Sequence, residues 1–160
     1  MKKKIVCIFL VMVLAFAAVS VANADSYTNN EWGSFPTAEF NDTGYRVRLI
    51  QNILLGHSFN TYTQIISHNG ADGSFGQGTL AAVQIFQGDH GLSTDGKVGH
   101  NTWIALGSEI VYNSTSSGTR YYKVKNNYAT GSYKVLVRRL STAVWQFRKT
   151  ESNSWHQISN

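Results

Sequence analysis

The chain has 160 residues, with 14 lysines and arginines against nine acidic residues, a formal net charge of +5, and one cysteine. That length holds one ordinary domain or two small ones. A single cysteine excludes a disulfide framework within the chain and any cysteine-rich metal cluster.

The first predicted element is an export signal of bacterial type. Lys2, Lys3 and Lys4 precede an apolar run from Ile5 to Val21, and Ala22-Asn23-Ala24 supplies the small-residue cleavage site, which together are the three regions of a secretory signal peptide. The run is short for a bilayer core of ~30 Å, and polar residues follow at once, so cleavage after Ala24 is expected rather than anchoring. Cys7 precedes the run, whereas a lipid-modified cysteine would follow it. Cleavage removes the only cysteine and leaves a mature chain with no thiol nucleophile. Such a chain is expected outside the cytoplasmic membrane, secreted or cell-wall associated, with no further transmembrane segment.

Charge divides the remainder. Residues 25–107 carry three basic against seven acidic side chains, a net of −4, while residues 108–160 carry eight against two, a net of +6. The asymmetry suggests two units with different partners, with a polar linker at 108–119. Residues 25–41 contain Trp32, Phe35, Phe40 and the only proline, Pro36, without helical or strand period. They read as an extended lead-in that packs partly on the domain.

In the acidic half, Val47, Ile50, Ile53 and Leu54 recur at helical spacing between Gly44 and Gly56, with Arg46, Arg48 and Gln51 on other faces. Two segments 23 residues apart then repeat one pattern. Asp72-Gly73-Ser74-Phe75-Gly76-Gln77-Gly78-Thr79 and Asp95-Gly96-Lys97-Val98-Gly99-His100-Asn101-Thr102 both place Asp-Gly, an apolar residue, a second glycine and a threonine at the same offsets. Asp-Gly makes a tight turn in which glycine is free to take positive φ, the apolar residue plugs inward, and the threonine is expected to cap a helix. Leu80, Ala82, Val83 and Phe86 follow the first threonine with one apolar face, ending near Gly88 or Gly91. Trp103, Ile104 and Leu106 follow the second, stopped by Gly107. Calcium is a poor fit to these loops, because Ser74, Phe75 and Gly76 bring too few carboxylates.

The ordered series Gly44, Val47, Leu49-Ile50-Gln51, Leu54, Asp72 to Gly76, Thr79, Ala82-Val83, Phe86-Gln87, Gly91-Leu92, Asp95 to Gly99, Thr102-Trp103 and Leu106 resembles the peptidoglycan-binding domain of the three-helix type found on bacterial wall hydrolases. The resemblance covers about residues 42–107. Residues 56–71, with Tyr62 and Ile65-Ile66, match none of its positions and read as a variable loop or a short extra helix. The resemblance implies a non-catalytic module that holds peptidoglycan and uses no cofactor. Gly73, Phe75, Gly76, Thr79, Val83, Phe86, Gly96, Gly99, Thr102, Trp103 and Leu106 then serve turns, caps and a small core. Asp72, Gln77, Gln87, Asp95 and His100 are the candidates for contacting ligand, because hydrogen-bonding groups orient a polar sugar or peptide in a shallow groove. The two aspartates have a competing structural use, bonding their own turn backbone.

From Arg120 onward the period changes. Arg120 to Lys125, Tyr133 to Leu140, Ala143 to Lys149 and Trp155 to Ile158 predict three or four antiparallel strands. The expected fold class is therefore α+β, with a small helical bundle followed by a short β-rich unit at 120–160. Its cations, together with Tyr121, Tyr122, Tyr128, Tyr133, Trp145, Phe147 and Trp155, suit a wall polyanion or another secreted protein. Nucleic acid would be misplaced outside the membrane.

Catalytic constellations are absent from the pattern. His57, His68, His90, His100 and His156 lie at no zinc-motif spacing, no G-x-S-x-G elbow is present, and Glu31, Glu39, Glu109 and Glu151 stand in polar or turn-like surroundings. The expected function is a secreted, non-catalytic peptidoglycan-binding protein whose basic region meets a second partner. A wall hydrolase with an unrecognised site in the C-terminal region, and a protein-interaction or immunity-type protein, remain as alternatives.

Overall fold

A computed structural model describes residues 31–125, 135–140, 144–149 and 154–158. The export signal, residues 25–30 of the lead-in, Tyr128 and Tyr133 lie outside the described residues. The elements run α1 (Tyr45–His57), α2 (Phe59–Ile66), α3 (Gln77–Asp89), α4 (His100–Ser108), then β1 (Ile110–Ser116), β2 (Thr119–Val124), β3 (Val135–Arg139), β4 (Trp145–Lys149) and β5 (His156–Gln157). The fold is α+β, helices first and an antiparallel sheet of order β1-β2-β3-β4-β5 after them.

Helix α1 is the hub. Every residue from Leu49 to Gly56 is buried, Gln51 and Asn52 included, so this helix is enclosed on nearly all sides. Gln51, expected on an outer face, points into the protein. Periodicity missed this because a helix surrounded by neighbours has no solvent stripe. Ser58 ends α1 in an extended conformation and starts α2. Its side chain accepts from the Thr61 amide at 3.3 Å while its own amide donates to Thr61 Oγ1 at 3.1 Å, a reciprocal capping box. The stretch for which a loop or a short helix was open is thus helix α2, packed against α1 and α3.

The lead-in stitches the two repeated turns. Ala38 bridges Val98 and Thr43 bridges Ser74, both antiparallel, so the lead-in, turning at Asn41 with φ 76°, pairs with both loops. Trp32, Phe35 and Ala38 are buried.

The stretch 108–119, expected as a linker, instead carries β1. Ser117 and Gly118, at φ 47° and 74°, form the two-residue turn of a β1–β2 hairpin in which Ser116 pairs with Thr119. Its Ser/Thr/Asn run reads as a loop because Tyr112 to Ser116 are exposed throughout; the hairpin projects past the core, leaving no alternation to detect.

One core serves both halves. Tyr122 pairs with Val137, Val137 with Phe147, and Phe147 with His156 across the sheet. Tyr122, Val137 and Phe147, with Trp145, Ile110 and Ile158, are buried in the same cluster as the helical residues. Trp32 is the keystone, with its ring edge-on to Trp103 of α4 at 6.1 Å and to Trp145 of β4 at 5.6 Å. Such aromatic pairs add about 0.5–1.5 kcal/mol each beyond area burial.

Candidate peptidoglycan-binding groove

The two Asp-Gly turns are held by the same device. At the first, the Gln51 side-chain amide donates to Asp72 Oδ1 (2.9 Å) and the Ser74 carbonyl (3.0 Å), touches Thr79 Oγ1 (3.0 Å), and accepts from the Gly73 amide (2.8 Å). At the second, Gln87 reaches Asp95 Oδ1 (2.8 Å), the Lys97 carbonyl (2.9 Å) and Thr102 Oγ1 (3.1 Å), and accepts from the Gly96 amide (2.9 Å). Gly73 and Gly96 take φ 86° and 75°, the left-handed region where a side chain is strained. Asp72 Oδ1 also accepts from the Ser74 amide, and Asp95 Oδ1 from the Lys97 amide.

These contacts correct the threonine expectation. The N-caps are Gly76 and Gly99, with no side-chain cap bond. Thr79 and Thr102 sit three residues further on and turn their hydroxyls inward, to the Ser74 and Lys97 carbonyls and to the clamping glutamines. They are buried because the cradle needs a hydroxyl that both donates and accepts.

Beside the second turn lies a groove of about 310 Å³ lined by Thr37, Gln87, Leu92, Ser93, Asp95, Lys97, Gly99, His100, Asn101 and Thr102. Three of the five candidate ligand residues meet here: Gln87, Asp95 and His100. Gln87 is 1% exposed and its amide is spent within the protein, so direct ligand contact gives way to positioning Asp95 from beneath. The Lys97 amide first, then Gln87, hold the Asp95 carboxyl below its ordinary range. His100 Nδ1 lies 2.9 Å from the Gly33 carbonyl. A carbonyl only accepts, so Nδ1 carries the proton and Nε2 of the neutral ring is an acceptor. Lys97 Nζ is paired with Glu39 at 2.7 Å. Asp72 and Gln77, both exposed, lie at the first turn instead.

The first turn is built alike but filled. Gln77-Gly78-Thr79 occupies the place of His100-Asn101-Thr102, and a Cβ on Gly78 would come 2.5 Å from His68 Cβ and 2.6 Å from the Gln64 carbonyl. The C-terminal end of α2 therefore sits where Asn101 stands exposed at the second turn.

Two further clusters escaped the sequence reading. His57 Nε2 lies 3.2 Å from Asp89 Oδ2, His57 Nδ1 lies 3.4 Å from Glu109 Oε2, and His90 Nε2 lies 3.4 Å from Glu109 Oε1. This set joins the ends of α1, α3 and α4 where the sheet begins, and Lys125 of the chain after β2 donates its amide to the Glu109 carbonyl at 2.7 Å. Burial lowers the His57 pKa, but hydrogen bonds and charge from Glu109 and Asp89 outweigh it and raise it above the ordinary value. Glu109 responds in the opposite sense: burial raises it, and His57 foremost holds it down. Among the described residues, no three His, Cys, Asp or Glu side chains are grouped to hold a metal ion. The second cluster pins the lead-in to the sheet. Arg139 forks onto Glu31 at 2.6 and 2.8 Å, and Trp145 Nε1 donates to Glu31 Oε2 at 2.6 Å. No spacing rule links His57 to Asp89, 32 positions on, or Glu31 to Arg139, 108 positions on, so neither cluster carries a sequence signal. The glutamine clamps do carry one, since an apolar pair precedes each, Leu49-Ile50 and Ile85-Phe86.

On the outer face of the sheet, the Arg138 guanidinium lies 3.9 Å and that of Arg148 4.7 Å from the Trp155 ring centroid, with Tyr121 beside that ring at 6.0 Å.

A paired glutamine cradle, a helical hub and an open groove define a small helical module joined to a sheet. Residues 43–106 match the family model for a peptidoglycan binding domain, from just before α1 to the last turn of α4. No curated protein and no solved structure matches the chain. Among the described residues, no helix is long and apolar enough to cross a membrane.

Proposed function

We propose that the protein is an exported, non-catalytic cell-wall protein that holds peptidoglycan in the groove beside its second Asp-Gly turn, with Asp95 and His100 as the contacting side chains. The observation that carries this reading is the coincidence of the family match at residues 43–106 with an open groove whose walls, Thr37 apart, come from that segment. Asp72 and Gln77 stand exposed at the first turn, outside this groove. The cations and rings on the outer face of the sheet, Lys123, Arg138, Arg148, Tyr121 and Trp155, support a second contact with a wall polyanion or another secreted protein, because cation-bearing aromatic surfaces attract phosphate and carboxylate. The test is co-sedimentation of the purified protein with insoluble peptidoglycan at moderate salt. Enrichment in the pellet is expected, and its absence sinks the reading. The non-catalytic part is checked separately on dye-labelled peptidoglycan, where release of soluble colour would refute it.

A further inference from the structure

We infer that the groove beside the second Asp-Gly turn reads the stem peptide of the wall polymer, through a residue bearing a free amine, rather than the glycan strand. This rests on the wall-binding reading above and deepens it.

Three observations point to a peptide. Asp95 spends one oxygen, Oδ1, on Gln87 and the Lys97 amide, while Oδ2 makes no hydrogen bond to another of the described residues and the side chain is exposed. A carboxylate held rigidly by one oxygen and open at the other is a preorganised acceptor for an ammonium group. The groove's lysine does not cancel it through a direct ion pair, because Lys97 Nζ is engaged by Glu39 at 2.7 Å. His100 lines the same groove, its ring fixed by the Nδ1–H donated to the Gly33 carbonyl, so that in the neutral tautomer Nε2 is a second acceptor.

The second observation is what the lining lacks. Apart from the His100 imidazole, the lining includes no ring, and no phenylalanine, tyrosine or tryptophan offers the broad apolar surface on which a sugar face would stack. One aliphatic contact and several small polar groups suit amide backbone and a short side chain.

The third is size and singleness. At about 310 Å³ the groove falls at the small end of ligand pockets, room for a short peptide segment rather than a run of polymer. The equivalent place at the first turn is taken by α2 against Gly78. The duplicated cradle thus leaves this groove open and the matching one closed, which suits a short branch better than a chain laid across both turns.

Three preparations decide it: intact peptidoglycan, glycan strands freed of stem peptides by an amidase and immobilised on beads, and soluble stem peptides whose diamino residue carries a free or an acetylated side-chain amine. The purified protein is expected to bind the intact wall, to bind the bare strands at least about fivefold more weakly, and to be competed off by the free-amine peptide but not by the acetylated one. Asp95→Asn keeps an acceptor for Gln87 and removes the charge. It is expected to bind the intact wall about fivefold more weakly while remaining folded at the assay temperature, with an unchanged circular-dichroism spectrum. Equal binding to intact wall and bare strands, or equal competition by both peptides, overturns the stem-peptide inference and leaves wall binding standing. Binding to none of the preparations removes the proposed function itself.

Discussion

Glu31 and Arg139, 108 residues apart in the chain, form a forked ion pair with contacts of 2.6 and 2.8 Å, and Trp145 donates to the same carboxylate. The lead-in is thereby fastened to the sheet beside the Trp32 keystone. Burial raises the Glu31 pKa, but hydrogen bonds from Arg139 and Trp145 and the Arg139 charge outweigh it and hold it below the ordinary carboxylate range. Glu31→Gln is expected to cost about 1–3 kcal/mol at neutral pH, the range for hydrogen bonds to a charged group. A group whose folded pKa is depressed contributes stability above its unfolded pKa and loses it as pH falls through the folded value. Urea unfolding of both proteins should therefore show a gap that is full at neutral pH and closes in acid, below the usual carboxylate range. A gap independent of pH would refute the ion-pair account.

The His57 cluster has the opposite sign. His57 is raised above its ordinary value by Glu109 and Asp89 despite burial, so its contribution is complete below the unfolded pKa of about 6.5 and is lost as pH rises through the folded one. Glu109, held low by His57, remains ionised across that window. The titratable neighbours that share the site are Asp89, His90, Glu109 and Lys125. The urea midpoint should fall as pH rises above about 6.5 in the native protein, and His57→Gln should flatten that slope. An unchanged slope in the variant would place the pH dependence elsewhere.

Gln87 stands at the centre of four polar contacts and is buried. Gln87→Leu fills similar space but strands the Gly96 amide, while the Lys97 carbonyl and the Thr102 hydroxyl keep each other, so a loss of about 1–3 kcal/mol is expected, the cost of one buried unsatisfied group. Gln51→Leu should behave alike, because it serves the same four positions at the first turn. Denaturant melts giving either variant a loss under 1 kcal/mol would show that the cradle is held by something else.

Two glycines one residue apart from each other's neighbour make an internal control. Gly78→Ala improves helix propensity, yet its methyl group would lie 2.5–2.6 Å from His68 and Gln64 of the α2 end. Overpacking of this kind costs about 1–3 kcal/mol. Gly76→Ala meets nothing within 4 Å, and Gly76 has φ −89°, so it should lose only the N-cap preference for glycine over alanine, under about 1 kcal/mol. Equal effects of the two substitutions would show that α2 does not close against α3 as described.

Much of the helical half is legible from local pattern. The two Asp-Gly turns announce themselves because positive φ restricts the choice of residue, and Val47, Ile50, Val83, Phe86, Trp103 and Leu106 appear at core spacing because side-chain periodicity follows backbone geometry. Reading fails where the partner is distant. Gln51 looks like a surface residue of a helix until α2, α3 and the first turn enclose it. Thr79 and Thr102 look like caps because cap and cradle both ask for a hydroxyl near a helix start, and only the turn's position shows which is meant. The β1 hairpin looks like a linker because exposed strands show no alternation.

The amino-acid sequence by itself determined the repeat, the charge division, the strand-forming tail and the resemblance to a peptidoglycan-binding domain, all of which depend on residues near one another in the chain. Tertiary structure alone decided that the halves share one core through Trp32, that Glu31 meets Arg139, that His57, His90 and Glu109 converge, and that α2 closes one of two equivalent turns while the other stays open. Those outcomes depend on long-range packing, where the contact is set by which surfaces exclude water together and not by any spacing along the chain.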